Sequence, residues 1–323
     1  MTQYVLRRLL ALPLLLLGVA TVTFLLVHTA PGGPTDALVG NPRVSREDRQ
    51  RIERSLGLGR PVHEQYLSWL GNVVHGDFGV SLKSRQPVTE LIWQRLPATL
   101  LLIGSAWLVT MLVAIPLGVA VAVRRNSRFD HATTIASAVT SSLPSFWVGL
   151  ILIIVFAVQF AQWGLPTLPS GGTQSVSGGG DVGDWVRHLV LPVLSLSLID
   201  IAYWTRYVRG RMLESIGQDY VQTARAKGLG ERTVLMRHAF RNASLPLITL
   251  VGLYAPALVG GAAFIETIFS WPGIGQLSVQ AALQRDFPVV MGTTMLISAA
   301  IVLGTLLADI LYGVVDPRVR YSQ

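Results

Sequence analysis

Cysteine is absent from the 323 residues, which excludes disulfides, Cys-bearing zinc sites and thiol nucleophiles. Lysine is nearly absent. Lys83, preceded by Leu82, and Lys227, preceded by Ala226, are the only two, so no Gly-Lys-Ser/Thr phosphate loop can be drawn. There is no G-x-S-x-G nucleophile elbow, no H-E-x-x-H helix and no paired-histidine metal spacing, and the six histidines are scattered as interfacial or packing residues. Neither a catalytic centre, a bound metal nor a cofactor is expected in this chain. Charge is scarce as well, at 14% against 51% hydrophobic residues and a mean hydropathy of +0.50, too apolar for an ordinary soluble domain. A net charge of +8 and a pI near 10.3 would suit a nucleic-acid binder if the basic residues shared a soluble surface. They sit instead in short segments between hydrophobic runs, so no nucleic-acid partner is expected.

What is present is apolar length. Six stretches are long enough to cross a hydrocarbon core of roughly 30 Å: about Leu9 to Thr29, Ala98 to Val123, Ala132 to Phe160, Leu189 to Trp204, Ala243 to Phe264 and Val289 to Val315. The first, preceded by Arg7 and Arg8, resembles a signal peptide in charge, but it is too long and lacks a small-x-small site after His28-Thr29, so it reads as a retained helix. Pro116, Pro144, Pro192, Pro246 and Pro256 lie in or at the ends of these spans and predict kinks. The fold class is therefore all-α, a polytopic membrane protein with six transmembrane helices.

Basic residues in short loops are held on the cytoplasmic side. Arg7 and Arg8, the Arg124, Arg125 and Arg128 cluster, eight basic residues between Arg206 and Arg241, and Arg318 with Arg320 form one set; the opposite short loops offer only Arg187 and Arg285. Both termini are thus expected inside, with lipid as a general partner. The domain plan is a first helix at 1–29, an extracytoplasmic cap segment at 30–95, a five-helix core at 96–315 and a cytoplasmic tail at 316–323. Within the cap, Arg46 to Ser55 reads as a polar helix, Leu56 to Pro61 as a turn, and His63 to Val74 as an amphipathic helix with Tyr66, Leu67, Trp69, Leu70 and Val73 on its apolar side. The outer loop from Gly164 to Asp184, with Ser170-Gly171-Gly172 and a glycine run after Ser177, reads as a flexible connector.

The segment 211–242 is too long for a turn between two membrane helices. Leu213, Ile216, Tyr220 and Ala224 recur at steps of three and four, an apolar helical face, with Gln218, Gln222 and Arg225 largely away from it. Small residues follow, Thr223, Ala224, Ala226 and Gly228, which allow close approach by another protein; Gly228 suits a positive-φ helix cap before a second helix from Glu231 to Arg241. On spacing alone, an amphipathic helix lying on lipid headgroups is an equal alternative.

Tyr220-Val221-Gln222-Thr223-Ala224-Arg225-Ala226-Lys227-Gly228-Leu229 with Arg237-His238-Ala239-Phe240-Arg241-Asn242 resembles the cytoplasmic coupling loop of bacterial ABC-type importers, in its dipeptide and oligopeptide permease form. Further matches run in order along the chain: Leu56-Gly57-Leu58 with Pro61, Tyr66 and Trp69; Gly76-Asp77-Phe78-Gly79 with Ser81; Leu143-Pro144-Ser145-Phe146-Trp147; His188-Leu189-Val190-Leu191-Pro192; Glu266 to Gly275; and Asp316-Pro317-Arg318-Val319-Arg320. The large segment after the first helix is similar to the B-type permease rather than its C-type partner. Gln222 and Thr223 depart from the pattern, which has Glu and Ala there, and Leu245-Pro246 comes late.

The resemblance implies a multi-pass subunit of the bacterial cytoplasmic (inner) membrane that is not itself an enzyme. It would pair with a C-type permease, two ATP-binding subunits that hold ATP and Mg, and an extracytoplasmic binding protein that delivers a peptide. Related permeases imply nickel, haem or glutathione as alternative cargoes. It implies ATPase docking at Tyr220, Gln222, Thr223, Ala224, Arg225, Ala226, Lys227, Gly228 and Leu229, and an outer-gate hairpin at Glu266, Trp271 and Pro272, where a headgroup-level aromatic anchor is the competing reading. Asp200 and Asp309 are the ionisable residues at membrane depth and are candidate path or inter-helix polar residues, with pairing between helices favoured for both. A secondary transporter or channel would need broken helices and buried carboxylates near the midplane, and a membrane enzyme would need a nucleophile or metal cluster; both are the weaker readings.

Overall fold

The computed structural model describes residues 2–29, 60–175, 181–244 and 262–315, and their side chains except at 2–9 and 307–315. Among the described residues the elements are all helical, apart from one isolated bridge between Val80 and Pro87. In chain order they are α1 (Thr2–Thr29), α2 (Val62–Val74), α3 (Val88–Val123), α4 (Arg128–Ser141), α5 (Ser145–Gln162), α6 (Val182–Ile216), α7 (Asp219–Ala226), α8 (231–243), α9 (Ala263–Ile268), α10 (Ile274–Leu283) and α11 (Phe287–Val315). Segments of α1, α3, α5, α6 and α11 are long and apolar enough to cross a membrane. The expected span from Ala243 to Phe264, with Pro246 and Pro256, falls almost wholly on 245–261, outside the described residues, as do the polar helix and turn expected before residue 60 and the tail from residue 316.

The centre of the molecule is the α3–α6 pair. Leu102 and Ala106 meet Leu191 and Val193 near one end, and Ala114 and Ala122 meet Trp204, Val208 and Met212 further along, so the two helices run parallel. Small residues set the spacing: a Cβ on Gly118 would stand 2.6 Å from the Val208 Cβ and 2.9 Å from the Thr205 carbonyl. Lipid tails are as apolar as leucine, so such close van der Waals packing, rather than exclusion of water, holds membrane helices together. At 35 residues α6 is about 50 Å long, which separates a hairpin end, where α3 and α6 begin, from a loop end, where they finish.

Three expected boundaries move. The third span is not one helix: α4 stops at Ser141, Pro144 caps α5, and Ser142 and Leu143 lie between them. Proline restricts the residue before it and denies α4 a continuing N–H, a local effect that a hydropathy average cannot register. α3 begins at Val88, well before its apolar run, because Val88, Leu91 and Ile92 pack on Leu277, Ala281 and Val289. α6 likewise outruns its apolar core at both ends.

The predicted cap helix is present as α2. Tyr66 and Trp69 pack on Phe24 of α1, the Tyr66 hydroxyl lies 2.7 Å from Thr21 Oγ1, and Gln65 lies 3.1 Å from His28. Leu67, expected on the packed side, is exposed, and Gln65 is buried in its place. The loop after α5 is not the free connector its composition suggests: Leu168 packs into the hairpin-end core, and the Gly172 N–H donates to the Phe269 carbonyl at 2.8 Å. Gly171 sits so near that carbonyl that a Cβ would be 2.8 Å from its oxygen.

Candidate functional site

At the loop end, α6 terminates at Gly217, whose N–H reaches the Leu213 carbonyl, and Gln218 adopts an extended conformation as the N-cap of α7. This break resets the helical period. The buried face of α7 is therefore Val221 and Ala224, while Tyr220 turns outward at 40% exposure; the single face through Leu213, Ile216, Tyr220 and Ala224 expected from spacing does not form. Val221 and Ala224 join Val234 and Ala239 of α8 and Met212 of α6 in one cluster, so the loop is folded onto the end of the helix pair. Ser215 ties the three helices, donating to the Ala239 carbonyl at 2.8 Å and lying 2.7 Å from the Tyr220 hydroxyl.

α7 ends in a Schellman motif. Gly228, at φ +74°, donates to the Arg225 carbonyl, and the Leu229 N–H reaches back to Ala224. Only glycine, or asparagine at some cost, adopts this backbone readily. Arg225 forms a two-pronged ion pair with Glu231 across the turn, at 2.7 and 3.1 Å. Each hydrogen-bonded charge favours the other's ionised form, so the Glu231 carboxyl lies below its ordinary range and the Arg225 guanidinium above. Gln222, Thr223, Ala226, Lys227, Gly228 and Leu229 are exposed. Thr223 spends its hydroxyl on the Asp219 carbonyl, so it and Ala226 present methyl groups on this outer face beside Gln222. Beside it a polar cleft of about 310 Å³ opens between Arg211, Glu214, Gln218, Tyr220 and Asn242.

At the hairpin end, α9 and α10 are joined by a turn through Trp271, Pro272 and Gly273. Glu266 is fully buried. Its Oε1 accepts from the Thr99 hydroxyl at 3.0 Å and its Oε2 from the Gln276 N–H at 2.8 Å, so the carboxylate occupies the N-terminus of α10 in place of a local cap. Thr99 in turn accepts from the Ile274 N–H. A Cβ on Gly273 would lie 2.3 Å from the Glu266 carboxyl carbon, which is why the position needs glycine. Trp271 is also fully buried, its indole N–H donating to the Ala98 carbonyl at 2.8 Å. Pro272 is half-buried.

Two polar anchors were not legible as such. Asp130, buried at the start of α4, accepts from Arg209 of α6 at 2.7 and 2.8 Å and from the Asn126 N–H. The Arg209 hydrogen bonds lower its pKa to about 2. Asp286, buried before α11, accepts from the Ser81 hydroxyl and the Leu82 N–H. Of the two acids singled out from sequence, Asp200 is half-buried on α6 with interactions of its own, and Asp309 lies on α11 where side chains are outside the described residues. Among the described residues no group of three or more His, Asp or Glu side chains is placed to hold a metal.

Comparison with known proteins bears on both ends. Residues 114–321 match the family described as binding-protein-dependent transport system inner membrane component, and residues 1–103 match the N-terminal family of the same system. The chain is 43% identical over 322 residues to the oligopeptide transport system permease protein AppB of Bacillus subtilis, covering 99% of this chain and all of that one. It is 40% identical over 344 aligned residues to the dipeptide transport system permease protein DppB of Escherichia coli K12, and 40% identical over 325 to a putative peptide permease protein of Brucella suis, with both chains of each pair covered in full.

Proposed function

The chain belongs to the family of inner-membrane components of binding-protein-dependent transport systems, and from that premise we propose that it is one of two permease subunits of an ATP-driven peptide importer. It is a multi-pass protein of the inner membrane and a transport subunit rather than an enzyme. The partners are a second, similar permease, two nucleotide-binding subunits carrying ATP and Mg, and an extracytoplasmic protein that captures peptide. The loop end faces the cytoplasm and the hairpin end faces outward, with α2 and the 30–95 segment beneath the capture protein.

The observation that carries this reading is the build of α7. Val221 and Ala224 are turned inward and Gln222, Thr223 and Ala226 outward, on a helix fixed at both ends by Gly217 and the Gly228 cap. A helix meant for lipid headgroups would bury nothing in its own protein and would show a larger apolar face outside. Here the exposed face, Gln222, Thr223, Ala226 and Leu229, suits the groove of another protein. Because Val221 and Ala224 are packed against Met212 at the end of α6, displacement of that groove is transmitted to α6 and, through the Gly118 contact, to α3. Gln222 stands where the family pattern has Glu, and the ion pair of the loop is supplied internally by Arg225 and Glu231.

Co-purification from native membrane tests the proposal. A second permease and nucleotide-binding subunits should remain bound, with ATP hydrolysis stimulated by the peptide-loaded capture protein. A chain that purifies alone or as a homo-oligomer and passes solute without ATP would sink it in favour of a channel or secondary transporter.

A further inference from the structure

Arg206 lies on α6, exposed, one turn before Arg209, the partly exposed partner of buried Asp130, and its Nη2 donates to the Ser141 hydroxyl at 2.9 Å. The two arginines reach in opposite directions. Asp130 and Ser141 are 11 residues apart on α4, about 16 Å along that helix, whereas Arg206 and Arg209 are separated by about 5 Å of α6. Arg209 therefore turns toward the loop end, where α4 begins, and Arg206 turns toward the interior of the span. A lipid-facing arginine snorkels the other way, carrying its charge to the headgroups. The guanidinium is instead held at the interruption between α4 and α5, residues 142–144, about 20 Å from the start of α4. Broken helices at such depth are tolerated where they line water or are buried in protein.

A polar stripe continues from this point. Tyr203 is exposed one turn deeper on the same face of α6, half-buried Asp200 follows, and Gly210 lies one turn toward the loop end, where no described atom would stand within 4 Å of an added Cβ. Ser142 is exposed beside Ser141. The outward face of α5, with Leu150, Ile154 and Val158, is apolar by contrast. We infer that the Ser141–Tyr203–Arg206 face lines the water-filled path between the two permeases, and that Arg206 is a carboxylate-recognition point within it. The inference deepens the importer reading and rests on it for the cargo, a peptide whose C-terminal carboxylate is the matching anion. Among the described residues Ser141 holds the guanidinium through a single hydrogen bond, and the fork has further N–H donors for a two-pronged contact with a carboxylate.

The chain has no cysteine, so single cysteines report without background from this subunit. The assembled complex in lipid would carry Tyr203→Cys, or Val158→Cys as the apolar control, and be treated with membrane-impermeant thiosulfonates, one anionic and one cationic, with and without ATP. Labelling of this chain is read by mass spectrometry. Tyr203→Cys is expected to react in at least one state while Val158→Cys does not. The anionic reagent should be favoured roughly tenfold, as one nearby positive charge in a partly wet site implies. That preference should vanish with Arg206→Gln and persist with Arg206→Lys. An excess of N-acetyl-dialanine should slow the anionic reaction, and its C-terminal amide should not. An unreactive Tyr203→Cys, with the partner permease or lipid covering the stripe, overturns the inference, as does a charge preference indifferent to Arg206→Gln. Equal protection by acid and amide overturns the carboxylate assignment. Because labelling does not require transport, a wet, anion-selective stripe in a complex that imports no peptide would fault the cargo reading alone.

Discussion

The two ends of the α3–α6 pair use similar parts for opposite ends. Each has a short helix, a tight turn and a second helix folded against the pair: α9 and α10 at the hairpin end, α7 and α8 at the loop end. At the hairpin end the polar and aromatic side chains, Glu266, Thr99 and Trp271, are turned inward and satisfied there. At the loop end the cluster beneath α7 is mostly apolar, with Ser215 as its buried polar tie, and the polar side chains of α7 itself face out. A buried, fully bonded polar knot fixes one geometry, because every displacement leaves a group unsatisfied. An aliphatic contact such as Val221 on Met212 tolerates small rigid shifts, and its exposed outer face is available to a partner. The hairpin is thus built as a fixed part and the loop as a presented one.

Gly228→Trp makes the sharpest test of that contrast. No neighbour lies within 4 Å of a Cβ at this position, so the substitution costs backbone strain at φ +74° and fills the space before the outer face of α7, without disturbing the core. Stimulated ATP hydrolysis should fall by at least tenfold while the membrane subunits still co-purify. Gly228→Asn, which tolerates the same φ, should retain most of the activity. Equal losses in both would mean that cap strain, not docking, is being read.

Glu266→Ala is the counterpart at the hairpin. It would strand the Thr99 hydroxyl and the Gln276 N–H in the first turn of α10, a loss of about 2–4 kcal/mol. Glu266→Gln, which keeps an acceptor, should cost less. Thermal denaturation of the purified complex measures both, and ATPase coupling per folded complex should be unchanged. A coupling defect without a stability loss would make the hairpin a moving part and erase the contrast.

The next largest effect falls on the pair that clamps α4 to α6. Removing the Asp130 carboxylate with Asp130→Ala leaves the partly exposed Arg209 uncompensated and should lower stability by about 2–3 kcal/mol. Its sign with pH is fixed. The native carboxyl titrates at about 2 against an ordinary 3.8, so its contribution is complete above roughly pH 4 and is lost as pH falls toward 2. Wild-type protein should therefore lose melting temperature faster than Asp130→Asn between pH 4 and pH 2.5. Parallel curves would deny the pair its role.

Which of these features can be seen in a sequence depends on the range of the interaction. Apolar length located the described membrane helices, and Gly228 announced the end of α7 because a cap is local. The fate of Asp130 was not legible, since its partner is 79 residues away, and Asp286 depends on Ser81 at a separation of 205. The acceptor of the Trp271 indole, Ala98, lies 173 residues away on a different helix and was equally hidden. The break at Pro144 had a local signal, the proline itself, but a hydropathy window merges the two flanking helices into one span. The outward turn of Tyr220 was lost for a related reason: periodicity was carried across Gly217, where the helix stops.

The smallest expected effect is at the Arg225–Glu231 pair, and it tests whether the loop end is as indifferent to its own charges as the comparison requires. Both side chains are about half exposed, so solvent and salt screen them, and an exposed pair of this kind adds little even with two hydrogen bonds. Glu231→Gln should leave the melting temperature within experimental scatter and change stimulated ATPase by no more than roughly twofold. Arg225→Ala should match it if the guanidinium serves only the turn. Suppose instead that Arg225→Ala removes coupling while Glu231→Gln does not. Arg225 then spends its charge on the partner, exchanging Glu231 for an acidic group across the groove, and the outer face of α7 is recognised by charge as well as by shape. High salt would separate the two cases, since it weakens an exposed intermolecular pair and leaves a contact between small side chains intact.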